Sequence, residues 1–471
     1  MSASVGNVQI PCCIDVPEEY TPGARYALRM LLYPFRVKPL WVTPDRLGNG
    51  GIYYGVDQDN APEAAWRICV LASTLDFFSG VSQDPPSLRL VSIGDDEVPV
   101  LFESGGDGPF DLVAATFFLL SGWQERTSVQ RDRHGRFLFG GSLHDRLGIA
   151  GLPVVELYRM CVATRLRKIG FKVESKSWGV ADWAFCSTHD IDYIRKWRPG
   201  IVYREIVQRG ILNQSRESVA TRVGRIGEAL TGMLSPSDPY RRAIRRIRKE
   251  VSGRSGTATF FFKVAARDPH DVKYSSSSTF LQHEYAELRS GGFEIGLHPS
   301  YHAFNHGAYL AEERSNLALS SGIKAISVRT HYLRFDLSST PRLLEKSGFR
   351  IDSSLGFADH EGFRNGTCKP FQLFDLHANR ALDIWEMPLT VMESTLFNRQ
   401  HLSLEEARGR TFDLMETCRR FGGVFVGLWH NTLWDESDCP GWGEHFTSSL
   451  DRAMETKAGI MSLSAAMDSW D

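Results

Sequence analysis

At roughly 100 to 200 residues per domain, a chain of 471 residues has room for several domains and is no disulfide-stapled miniprotein. Hydrophobic residues at 42% and charged residues at 23% sit near globular averages, which excludes wholesale disorder and fibrous repeats. Lys plus Arg number 54 against 56 Asp plus Glu, so the formal charge of −2 supplies no global field for a polyanion, and no nucleic-acid partner is expected.

In chain order, MSASVGNVQIPCCIDVPEEY lacks a basic stretch followed by an apolar one, so no signal peptide is read and a cytoplasmic protein is expected. No apolar run reaches the roughly 18 residues that span a bilayer. Cys12, Cys13, Cys69, Cys161, Cys186, Cys368, Cys418 and Cys439 are scattered without C-x-x-C spacing and read as reduced thiols. Residues 1–150 read as a small N-terminal α/β domain. Its elements are a helix at ARYALRMLLYPF, strands at KPLWVTP and GGIYYGV, and helices at AAWRICVLASTLDFF and LVAATFFLLSGWQE. The Gly-rich, charged DRHGRFLFGGSLHDRLGIAGLP marks a boundary. VVELYRMCVATRLRKIG then reads as a connecting helix within 151–179, closed by Gly170.

From residue 180 to 471 short apolar strands end abruptly in residues able to do chemistry. WAFCST runs into His189, Asp190 and Asp192, FEIGL into His298, AISV into Arg329 and His331, and VFVGLW into His430 and Asn431. TATFFFKV is a further strand. Strands alternating with helices predict a mostly parallel sheet, whose strand carboxyl ends are the usual place for a site. Residues 195–254 interrupt the pattern with 13 Arg and 2 Lys against 4 Glu and 1 Asp, a local charge of +10. Within this basic helical insertion YRRAIRRIRKEV suits an amphipathic helix able to meet phosphates, acidic glycans or an anionic membrane face. A solvated helix with one apolar edge explains it equally well.

In STHDID the two-residue spacing of Asp190 and Asp192 sends both carboxylates to one face of a strand. A cation makes such a pair tolerable by binding one and leaving the other as a base, although a turn or helix cap also uses aspartates this way. In GLHPSYH the proline fits the first turn of a helix, across which His298 and His302 can face one cation. VRTHYLRFD offers Arg329, His331 and Arg334; on a strand Arg329 and His331 share a side, and Arg329 can hold Asp190 ionised or form a structural ion pair. LWHN sets His430 between Trp429 and Trp434, a half-buried setting that suits a general acid above an apolar substrate patch.

Together THDID, HPSYH, RTHYLRF, DSSLGFADHEGFRNGT and LWHN resemble, in order, the motifs of the polysaccharide deacetylase family, carbohydrate esterase family four. The resemblance covers roughly residues 180–471, and the first part resembles the N-terminal domain joined to deacetylases with a THDxD first motif. It implies a distorted (β/α)7 barrel and metal-assisted removal of an N-acetyl group from an amino sugar of a bacterial polysaccharide or its cytosolic precursor. Position by position it implies Asp190 as general base, Asp192, His298 and His302 as metal ligands, Arg329 as the residue tuning Asp190, and His430 as general acid. Two departures stand out: Ile191 separates the aspartates, as in the Asp-x-Asp subgroup, and the third motif lacks R-x-P-x-G. His331 is left as an alternative ligand or substrate contact beside Arg334 and Trp429, and Asp359 and Arg364 fall in a glycine-bearing substrate loop. The expected ion is Zn²⁺, with Co²⁺, Ni²⁺, Mn²⁺ or Fe²⁺ compatible with the same donors. Through the basic segment the resemblance suggests contact with a membrane-associated polysaccharide assembly machinery at the inner membrane. A small-molecule amide or imide hydrolase and a non-catalytic glycan-binding protein are the competing readings.

Overall fold

The computed structural model describes residues 8–47, 50–56, 66–80, 84–93, 96–108, 110–212, 214, 218–234 and 238–470. The first sheet is built from Val8–Asp15 (β1), Val37–Trp41 (β2), Ile52–Gly55 (β3) and Trp66–Cys69 (β4), all parallel in the order β2-β1-β3-β4. The helix Thr21–Leu32 joins β1 toward β2 and buries Tyr26, Leu28 and Leu31. AAWRICVLASTLDFF is not one helix. WRIC is β4, buried at Trp66, Ile68 and Cys69 against β3, and the helix begins only at Ala72 and ends at Ser79. Pairing with β3 overrides the weak helical periodicity there. Arg89–Ile93 (β5) and Asp96–Val100 (β6) form an antiparallel hairpin. The helix Leu112–Leu120 starts where the Asp111 carboxylate accepts from the backbone N–H groups of Val113 and Ala114, and Val154–Lys168 follows as predicted, with Gly170 at φ +98° just beyond its end.

The second sheet gathers Trp183–Ile191 (β7), Thr259–Phe262 (β8), Glu294–Leu297 (β9), Ser327–Val328 (β10), Ile351–Asp352 (β11), Phe371–Asp375 (β12), Arg380–Glu386 (β13), Val391–Met392 (β14), Val424–Leu428 (β15) and Ala458–Met461 (β16). Its order is β12-β13-β11-β10-β9-β8-β7-β15-β14, with β16 also paired to β7, and every pairing is parallel except β12 with β13. All nine residues of β7 are buried, the reading of an apolar run covered on both faces. Because β13 lies against β11 while β14, just downstream, lies against β15, the sheet curls into a half-barrel compatible with an α/β barrel. The strand carboxyl ends therefore converge.

One apolar core runs without a break from Ile10 and Leu31 of the first region through Phe118 and Leu166 to Phe185 and Phe371 of the second. The Tyr26 hydroxyl crosses to the Gln372 carbonyl at 2.6 Å. Between β7 and β8 the basic segment folds as helices at Pro199–Tyr203, Arg204–Ile211, Val219–Leu234 and Pro239–Ser252. In the last of these, Ile244 and Ile247, the apolar edge of YRRAIRRIRKEV, are fully buried, so that edge packs inward. All eight cysteines are unpaired, and among the described residues no helix is long and apolar enough to cross a membrane.

Candidate active site

Asp190 is the penultimate residue of β7, and Asp192 follows just after its end. His298 follows β9, Arg329 and His331 follow β10, and His430 follows β15 shortly after Leu428. Convergence of these ends brings all of them except the fully buried Arg329 around one cavity of about 340 Å³. Asp192, His298 and His331 offer ligand atoms that all lie within 4.8 Å of one another. The Nε2 atoms of His298 and His331 stand 3.4 and 3.5 Å from Asp192 Oδ1.

Outer contacts hold both rings in that orientation. His298 Nδ1 donates to the Arg329 carbonyl at 2.7 Å, and His331 Nδ1 donates to Asp271 Oδ1 at 2.9 Å. Each Nε2 is thereby left toward Asp192, the arrangement that metal-binding histidines use. Asp190 Oδ1 and Asp192 Oδ1 are buried with no hydrogen-bond donor of their own, so a divalent cation fits the donor set. Burial pushes His331 down to about 4, which favours the neutral imidazole that can ligate a metal. Burial would raise the Asp192 carboxyl, but its contact with the His298 imidazole and the positive surroundings, the Lys263 ammonium included, hold it well below the usual carboxylate range.

Asp190 lies 3.5 Å from Arg329 NH1. The fully buried guanidinium is pinned by the Ser353 carbonyl and hydroxyl and by Thr188 Oγ1, at 2.7, 2.8 and 2.7 Å. Near it Asp352 and Glu386 form a buried carboxyl pair; burial raises both, the Asp352 carboxylate raises Glu386 further, and the hydrogen bond from Glu386 partly offsets the rise at Asp352. His430 Nδ1 and its backbone N–H both donate to Glu393 Oε1, at 2.7 and 2.8 Å, and its Nε2 points at Asp192 Oδ2 from 3.7 Å. Burial pulls His430 down, yet Glu393, then Asp192 and Asp190, outweigh it and push the imidazolium up to about 10. A divalent cation on Asp192 opposes that rise.

Residues 52–170 match a family of unknown function (DUF7033). No curated protein matches the chain. Similar solved structures include a candidate polysaccharide deacetylase from Mycobacterium smegmatis, at 14% identity and TM-score 0.39, covering 61% of this chain and 90% of that one. Peptidoglycan deacetylase PdaC from Bacillus subtilis overlaps at 11% identity and TM-score 0.27, over 61% and 91%. A pseudoenzyme of the CE4 family from Bacillus anthracis overlaps at 8% identity and TM-score 0.27, over 61% and 66%. Overlap this loose assigns no chemistry.

Several expected positions lie elsewhere. His302 does not join the cluster: no helical turn spans His298 to His302, and the exposed His302 ring bonds Asp268 Oδ2 at 2.8 Å. His331 stands in its place. It does so from a short turn, His331–Leu333, and not from an extended strand, because Tyr332 and Leu333 adopt positive φ of 62° and 54°. Arg334 braces the His134 and Tyr301 carbonyls, both at 2.9 Å. Arg364 is a buried clamp on Glu125, at 2.9 and 2.7 Å, and Asp359 accepts from the Phe139 backbone N–H at 3.3 Å. Trp429 is buried against Phe446, and its carbonyl accepts from His189, whose other ring nitrogen meets Ser187 Oγ. None of these four lines the cavity.

Several residues at or behind the cavity carry no motif signal in the sequence reading, five of them charged. Glu393 and Asp271 orient His430 and His331 from behind. Lys263, at the end of TATFFFKV, sets its ammonium 3.0 Å from His331 Nε2 and 3.1 Å from Asp271 Oδ1; its strand-end position was the available signal. Arg136, bonded to the Tyr332 carbonyl at 2.9 Å, and Arg399 line the mouth. Arg136 belongs to the stretch taken as a domain boundary, where no periodicity points to a site.

Proposed function

We propose that this protein is a metal-dependent amidohydrolase that removes an N-acetyl group from an amino sugar of a bacterial polysaccharide or its precursor. The supporting observation is one cavity in which a carboxylate and two imidazoles converge beside an aspartate held by a buried arginine and a histidine held by a buried glutamate. Asp192, His298 and His331 would hold the ion, Zn²⁺ by preference among Co²⁺, Ni²⁺, Mn²⁺ and Fe²⁺, and the ion supplies Lewis acidity toward an amide carbonyl. Asp190, paired with Arg329, takes the proton of the attacking water. His430, held protonated by Glu393, gives its proton to the leaving amine, so acetate and free amine result. The mouth residues Arg136, Tyr332, Ser394 and Asn398 present polar groups suited to a sugar. The same reading takes the curled sheet as a (β/α)7 barrel over 180–471, preceded by an N-terminal domain at 1–150.

Metal content and acetate release, measured together, test this. Wild type supplied with Zn²⁺ or Co²⁺ is expected to bind near-stoichiometric metal and release acetate from chito-oligosaccharides or UDP-N-acetylglucosamine. Asp190→Asn is expected to keep the metal and lose roughly 10²- to 10⁴-fold in turnover. A metal-free protein after reconstitution sinks the mechanism. One observation favours a second reading, a glycan-binding protein: the Lys263 ammonium, 4.0 Å from Asp192 Oδ1, is a built-in cation able to neutralise that carboxylate. In that case Asp190→Asn leaves glycan affinity unchanged and no acetate appears.

A further inference from the structure

The helix Val219–Leu234 carries its charges on the wrong side for a solvated helix. Its three charged residues are all engaged by neighbouring segments of the protein. Arg225 meets Glu205 at 3.3 Å, Arg222 donates to the Gly210 and Ile211 carbonyls at 2.6 and 2.9 Å, and Glu228 faces Lys196 at 3.7 Å. Ala229, on the same side, is fully buried. Apart from the half-exposed Glu228, the exposed described residues of the helix are uncharged. Val219, Val223, Leu230 and Met233 recur at steps of four, seven and three and form one stripe. Val219 is 71% exposed, Val223 64% and Leu230 52%, and Ile211 and Leu212 beside them are 60% and 58% exposed. A contiguous apolar surface of this kind marks a contact site.

The occupant follows from charge. The stripe belongs to a segment whose sequence carries +10, with Arg195, Arg246 and Lys249 exposed. Two copies of such a segment repel one another, whereas an anionic lipid surface attracts it while accepting apolar side chains. We propose that Val219–Leu234, with Ile211 and Leu212, is a membrane-docking face that seats its apolar stripe in the interface of an anionic bilayer. The segment leaves β7 just after Asp192. It is anchored by Lys196 to Asp435 and Ser437, in the loop that follows His430, so the face sits at the end of the sheet that bears the cavity. Docking there carries the cavity to a lipid surface, which suits a lipid-linked substrate; that clause alone rests on the hydrolase reading.

Co-sedimentation of the full chain with phosphatidylcholine vesicles, with and without phosphatidylglycerol, tests the docking apart from any activity. Binding is expected only with the anionic lipid and is expected to weaken as salt rises. The double variant Val223→Glu/Leu230→Glu removes two of the exposed apolar side chains that would enter the bilayer and is expected to bind about a hundredfold more weakly or worse, with thermal unfolding and metal content as in wild type. Val219→Ser/Met233→Ser provides an uncharged control with the same direction of effect. Absence of binding to anionic vesicles at low salt overturns the proposal. So does a wild-type dimer in sedimentation that either variant converts to monomer, since the face then belongs to a second copy.

Discussion

The segments that leave the neighbouring strands β9 and β10 look alike in sequence, each a histidine-bearing run after a short apolar strand, yet only one places two groups at the site, His331 in the cavity and Arg329 against Asp190. After β9, Pro299 directs the chain into turns; His298 faces Asp192, and His302 ends on the surface against Asp268. After β10, Arg329 and His331 both turn inward because the chain tightens at Tyr332 and Leu333, whose left-handed φ is a strained conformation for such residues. A four-residue spacing makes a ligand pair only on a helix. A two-residue spacing survives a change from strand to turn when the turn itself is held, here by Arg136 on the Tyr332 carbonyl and by Asp271 on the His331 ring.

The largest expected effect breaks the comparison outright. His331→Ala should abolish metal binding and, with it, turnover, whereas His302→Ala should leave both intact and change stability by at most about 0.5 kcal/mol, as for an exposed ion pair. Metal titration and thermal unfolding of the two variants side by side check this, and the reverse pattern would restore the spacing-based ligand set. A smaller loss should follow Asp271→Asn, which leaves the ligands in place but frees the His331 ring; affinity for Zn²⁺ should fall about 10- to 100-fold in a competition titration.

The finest test concerns protons. His430, raised to about 10 beside Glu393, gains stability from the folded state that is fully present below its unfolded pKa of about 6.5 and is lost as pH rises through 10. Glu393→Gln removes the largest raising influence, so the alkaline limb of the kcat profile should move to lower pH, and the alkaline loss of stability should flatten. An unchanged limb would assign the proton donor elsewhere.

The same contrast runs through the basic segment. YRRAIRRIRKEV drew notice because isoleucines three apart among arginines suggest an amphipathic surface helix, and its isoleucines are buried. VATRVGRIGEALTGML drew none, since its charges are sparse, yet it exposes the apolar stripe. Periodicity reports that a helix has two faces, and it is silent on which face meets the protein.

Local sequence determined much of the site. Continuous apolar runs made β7 and β15, and the polar residues placed directly at their ends, Asp190, Asp192 and His430, could only emerge at one edge of a parallel sheet, where they meet. Side chains reached through loops were a different matter. Arg364, Asp359, Arg334 and Trp429 carry the right chemistry, but they are spent on Glu125, the Phe139 backbone, two carbonyls and the core. Arg136 reached the cavity, and Glu393, Asp271 and Lys263 the far side of its histidines, from strand ends and connections far apart in the chain. A short-range pattern fixes where a side chain leaves its own element. Which distant partner claims it is a long-range competition for hydrogen bonds and burial, and only the folded chain decides that.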